Sequence, residues 1–255
     1  MNNKKWTGWH TAGLLIIAVV IVLIGYLVFE RVWSWLGILI LLTFSAALIG
    51  HGTVGLWRGL LIDDRNKISL SRLQMILWTI LVLSGFFVAG LSNVRNGQAD
   101  PLSIDIPAEL WMLMGISTTS LVGSPLLLSN KKTNPVKEEE KKRTFALMEG
   151  QGIDAKTLDS HGQIVVKNNP DDARMSDLFK GDETGNAAQV DLAKIQMFYF
   201  TLILVFVYAV ALGNLLAGYE AITQFPDLDQ GMVALLGISH AGYLTSKAVP
   251  HSQPG

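Results

Sequence analysis

Five stretches of the chain, 9–29, 32–50, 73–94, 110–130 and 195–219, run for about 19 to 25 residues without a charged side chain. A helix rises about 1.5 Å per residue and needs about 20 residues to cross a hydrocarbon core of about 30 Å. Each stretch therefore predicts a membrane-spanning helix. A sixth, 230–246, has only 17 residues and contains His240, but Lys247 at its end can extend its ammonium to the interface. Only Glu30 and Arg31 separate the first two stretches, which predicts a tight helical hairpin. The first stretch follows Lys4 and Lys5 as a signal peptide would, yet its apolar run is too long and no small-x-small pattern follows it. It reads as a retained helix with Trp6 and Trp9 at the interface.

The polar positions between and within these stretches repeat. Residues 56–124 align with 178–246 at a constant offset of 122, without a gap. Leu56-Trp57-Arg58-Gly59 corresponds to Leu178-Phe179-Lys180-Gly181, Gln74-Met75 to Gln196-Met197, Asp105 to Asp227, and Gly115-Ile116-Ser117 to Gly237-Ile238-Ser239. Apolar helices match one another by chance, but chance does not readily keep polar residues in register across two loops. Each copy reads as an interfacial segment, an outward span, a short acidic external loop and an inward span. Two spans per copy give both copies the same orientation, with a pseudo-two-fold axis along the membrane normal.

Charge orients this pattern. Of 20 Lys and Arg, residues 131–194 hold 11, and the same segment holds 12 of 21 Asp and Glu. With the N-terminus in the cytoplasm, 18 of the 20 basic residues fall on the cytoplasmic side and only Arg31 and Arg95 outside. That is the direction of the positive-inside bias. The expected architecture is an all-α polytopic membrane protein of six transmembrane helices in the cell membrane, with both termini cytoplasmic. It comprises an N-terminal hairpin (1–55), a first two-span repeat (56–130), a small cytoplasmic insertion (131–177), a second repeat (178–247) and a tail (248–255). In the insertion, 137–149 has helix-forming composition, 163–167 suits a strand, and 173–179 suits a surface segment. With few large apolar side chains, the insertion is expected to bury little core and to serve as a docking arm.

Candidate chemistry is sparse. Ser117, Thr118, Ser120, Ser239 and His240 cluster in the two inward spans, where they either line a polar path or satisfy one another; an ionisable group at that depth usually faces the interior or water. The stripes Gly115, Thr119, Gly123 and Gly237, Ala241, Thr245 have the spacing of close helix packing. Gln74 and Gln196 fall at the inner mouths, as paired amides or a constriction. Asp105, Glu109, Asp227 and Asp229 would form an acidic outer vestibule attractive to cations, although Asp227 with Gln230 also has capping-box spacing. His10, His51, His161 and His251 are scattered and carry no catalytic pattern.

Absences narrow the function. The chain has no cysteine, which excludes disulfides, thiolate metal sites and a Cys nucleophile. A net charge of −1 offers no nucleic-acid footprint. There is no Walker loop, dinucleotide turn, His-Glu-x-x-His or Gly-x-Ser-x-Gly. The external loops lack the Thr-Val-Gly-Tyr-Gly of a potassium filter. No enzyme, cofactor or metal is expected. The leading expectation is a homo-oligomeric channel with an acidic vestibule; the alternative is a non-catalytic membrane scaffold docking a cytoplasmic protein through 131–190.

Overall fold

The computed structural model describes residues 6–252; Lys4 and Lys5, which carry part of the N-terminal orientation argument, lie outside the described residues. In chain order the helices are α1 (Gly8–Leu27), α2 (Arg31–Val54), α3 (Leu70–Arg95), α4 (Ala108–Lys131), α5 (Glu138–Gly150), α6 (Leu192–Ala217) and α7 (Gln230–Ala248). Five of them, α1, α2, α3, α4 and α6, are long and apolar enough to cross a membrane. The chain is a multi-pass helical integral membrane protein. α7, at 19 residues, is not among the five; Ser239, His240 and Lys247 dilute its apolar character. α1 and α2 expose Leu15, Ile16, Val19, Leu23, Trp33 and Ile40, a surface suited to lipid and costly in water.

Two pairs of helices begin at one common offset. α3 and α6 each contain 26 residues and begin 122 residues apart, and α4 and α7 begin at the same offset.

Two compact units divide the chain. The first comprises Met1–Leu60, Gln74–Gly115 and Thr201–Ala234. α1 and α2 pack as the expected hairpin there. Its core includes Ile38, Leu48, Trp78, Tyr208 and Leu212, with Trp78 and Tyr208 edge to face at 6.0 Å between ring centroids. Trp35 donates its indole N–H to Ser84 Oγ at 2.9 Å, so this buried ring leaves no bare donor.

The second unit comprises Leu61–Leu73, Ile116–Phe200 and Leu235–Gly255, so it contains the insertion and sections of α3, α4, α6 and α7. α5 starts with Glu138, Glu139 and Glu140, which favour the positive end of the helix dipole. Glu140, Thr144 and Met148, four residues apart, bury one face. Two short antiparallel strands follow, β1 (Leu158–His161) and β2 (Ile164–Lys167), with His161 opposite Ile164. The hairpin turns at Gly162, whose φ of 52° suits a residue without Cβ. Met148, Ile153, Leu158, Val165 and Ala187 form one small core, and Leu128, Ile164 and Val166 another. The insertion thus buries more than its composition predicts. It does so by using Leu128 of α4 and by burying ion pairs.

Candidate functional site

The most concentrated chemistry lies in the second unit, around a carboxylate that sequence reading passed over. Asp182, 5% exposed, accepts from Lys194 Nζ at 3.0 Å and, more closely still, from Lys247 Nζ, and it forms an ion pair with Arg65 Nη1 at 2.5 Å. Arg65 comes from the loop before α3, Lys194 from the first turn of α6, and Lys247 from the last turn of α7. Asp63 also grips Arg65, accepting from Nε at 2.9 Å and Nη2 at 2.5 Å. Burial alone would push the Asp182 carboxyl up, but Arg65, Lys194, Lys247 and Lys67 hold it well below the usual carboxylate range.

A second carboxylate, Glu183, secures neighbouring segments. Lys131 Nζ donates to Glu183 Oε1 at 2.6 Å and to the carbonyls of Lys247 and Val249 at 2.6 and 2.7 Å. One ammonium therefore pairs with Glu183 and satisfies carbonyls at the end of α7. Glu183 Oε2 accepts from the backbone N–H of His251 at 2.9 Å and of Ser252 at 3.2 Å. The chain passes so close to Gly185 that a Cβ there would collide with the carbonyl of His251. Lys167 and Asp177 form a further buried pair at 2.7 Å.

Lys67 breaks the pairing. It is 4% exposed and takes part in no ion pair among the described residues. Burial lowers its pKa most, Arg65 and Lys194 add to the shift and Asp182 and Asp177 oppose it, which leaves it at about 7. The cluster Arg65, Lys67, Lys194 and Lys247 against Asp63 and Asp182 is cation-rich when every group is charged.

The polar residues of the inward spans occupy the same unit. Ser120 Oγ lies 2.6 Å from His240 Nδ1, and Tyr243 donates to Ser124 Oγ at 3.3 Å. Ser117 and Ser239 are buried, and their hydroxyls have no partner among the described residues. Thr118, by contrast, is exposed. Of the small-residue stripes, Gly237 faces Ile116 at 3.7 Å and Gly123 faces Leu244 at 3.4 Å, measured from where a Cβ would stand. Gly115, Thr119, Ala241 and Thr245 are exposed.

The acidic loops belong to the first unit. Asp105 donates its N–H to Thr223 at 2.8 Å, and its carbonyl accepts from Phe225 N–H at 2.9 Å, which joins the two loops. Asp105, Asp227 and Asp229 are exposed and Glu109 half-buried. The N-cap of α7 is Asp229, which accepts from Gly231 N–H at 2.8 Å; Asp227 instead accepts from Gln224 at 2.9 Å. This corrects the capping role expected of Asp227. Gln74 is buried and donates its amide to Thr201, while Gln196 is exposed.

His10 and His51, far apart in sequence, also meet in the first unit. Thr7 N–H donates to His10 Nδ1 at 3.1 Å, so Nε2 carries the proton and donates to His51 Nδ1 at 3.0 Å. Trp9 stacks on His10 at 3.8 Å and Trp57 approaches His51 at 4.7 Å between centroids. The pair joins α1 to α2. No group of three metal-ligating side chains occurs among the described residues.

No protein-family model, no curated protein and no solved structure matches the chain.

Proposed function

We propose that the protein is a non-catalytic membrane subunit that holds residues 131–190 as a rigid cytoplasmic platform for a protein partner. The observation that carries this reading is Asp182, where three cations from three separate segments converge on one carboxylate within residues 131–190. Breaking a buried pair costs about 3–5 kcal/mol, so such a junction keeps the platform in one arrangement. The 18 to 2 division of basic residues supports placing this platform and both termini in the cytoplasm. The equal lengths of α3 and α6, and the common offset at which α3 and α6 and α4 and α7 begin, support two tandem two-span repeats, with α7 as the sixth span.

A second reading, a homo-oligomeric cation pore, draws on the joined acidic loops carrying Asp105 and Asp227, and on exposed Thr118. Against it, Ser117, Ser120, Ser239 and His240 are all buried within one protomer.

Two measurements separate the readings. Cross-linking in intact cells from the exposed Lys142 and Lys156 should capture one reproducible protein, with capture lost in Asp182→Asn. Purified protein in liposomes should pass no cations. A cation flux that drops in the double variant Asp105→Asn, Asp227→Asn would replace the platform reading with the pore.

A further inference from the structure

Within the first unit a groove of about 400 Å³ runs along α1, α2 and α3, lined by Ile21, Ile38, Leu42, Leu83, Phe87 and Val94 and by other wholly apolar residues. From Leu83 to Val94 the lining follows 11 residue steps of α3. At about 1.5 Å per residue that is about 16 Å, half of a hydrocarbon core of about 30 Å. The groove has the depth of a single leaflet.

Its end is cationic. Arg95 follows Val94 directly; its Nη1 donates to Val28 O at 3.0 Å, and its guanidinium lies 5.5 Å from the centroid of the Phe29 ring. Arg31, at the start of α2, donates to the carbonyls of Gly218, Glu220 and Tyr219 at 2.8, 2.7 and 3.1 Å. Arg95 thus lies against Phe29, two residues before Arg31, at the turn between α1 and α2. Neither arginine has an ion pair among the described residues, although Glu30 and Glu220 are exposed nearby in the chain. These are also the two basic residues that the charge bias leaves outside. Charge retention in the cytoplasm does not account for them. A guanidinium at the end of the helix that lines an apolar trough, with a second at the neighbouring turn, matches a molecule with an anionic head and an apolar tail.

We propose that this groove binds an anionic phospholipid, one acyl chain lying along Leu83 to Val94 and the phosphate against Arg95, with Arg31 adding to the attraction. Arg95 keeps donors beyond the one given to Val28, and a guanidinium fork suits phosphate oxygens. A zwitterionic lipid offers the same chain but adds a cation near two others.

Native mass spectrometry of the full-length protein in detergent tests this. Phosphatidylglycerol should remain bound after delipidation at least five-fold more than phosphatidylcholine with the same chains. Arg95→Gln should remove most of that preference and Arg95→Lys should restore part of it. Leu83→Trp, which fills a lipid-exposed part of the groove, should lower retention of both lipids. Unchanged size-exclusion profiles establish that the variants fold, and a variant that fails this check is replaced by Val94→Trp. Equal retention of both lipids, or no effect of Arg95→Gln, would overturn the proposal in favour of ordinary bilayer contact. Full competition by glycerol phosphate with no effect of Leu83→Trp would overturn it in favour of a soluble phosphate site.

Discussion

A carboxylate removed from water stays ionised only where cations replace the lost solvent. Asp182 has Arg65, Lys194 and Lys247 in that role. Asp182→Asn keeps the shape and removes the charge, leaving buried cations uncompensated. The expected cost is about 3–5 kcal/mol, read as a lower melting temperature in detergent and faster proteolysis of 131–190. Because the folded carboxyl titrates below its unfolded value, its stabilisation is present above the ordinary carboxylate range and is lost as pH falls through the folded value. Lys67 works in the opposite sense. At about 7 it lies below an unfolded lysine near about 10.4, so between these values the unfolded chain binds the extra proton and stability rises with pH. Lys67→Met should raise the melting temperature at pH 7 and flatten the rise between about pH 7 and about pH 10. A melting profile that keeps its slope would show that Lys67 is not the group responsible.

Helix ends make a separate prediction. Asp229 and Asp227 stand two residues apart before α7, and both are exposed, yet only Asp229 reaches a free backbone donor of the first turn. Asp229→Ala should destabilise α7 by about 1 kcal/mol, whereas Asp227→Ala should change thermal stability little. Asn at either position should fold nearly normally, since Asn also caps well. Equal losses from the two alanine variants would contradict the assignment of the cap. β1 shows the reverse dependence. Leu158-Asp159-Ser160-His161 has little strand character, and it is extended because β2, fully buried, offers it a ladder.

The chain as a whole is a set of lipid-compatible helices carrying one charged insertion, and its orientation can be tested without removing native thiols. It has no cysteine, so single cysteines at Ser160 and Gln98 report alone. With an impermeant reagent on intact cells, Gln98→Cys should label and Ser160→Cys should be protected. The opposite pattern would reverse the proposed topology and with it the cytoplasmic platform. A bilayer also explains why extended apolar faces on α1 and α2 coexist with a buried ionic cluster. Hydrocarbon accepts the first at no cost, and the second survives only where protein groups replace water.

Hydrophobic run length and charge placement are local properties, so the five long apolar helices, the hairpin of α1 and α2, and the helix α5 were legible in the chain itself. The 122-residue offset was legible for the same reason and reappears in where α3, α4, α6 and α7 begin. The candidate site was not. Asp182 and Glu183 look like two more acids in a charged segment, and Lys67, Lys194 and Lys247 like ordinary flanking cations. Their meaning depends on meeting one another in a volume without water, which spacing along the chain does not encode. The same holds for His10 with His51, 41 residues apart, and for Arg95 with the Phe29 ring. Sequence determined which segments suit lipid, because transfer of a side chain is additive along a helix. Tertiary structure alone decided which charges are buried together, because a pair energy depends on distance and on the medium between the partners.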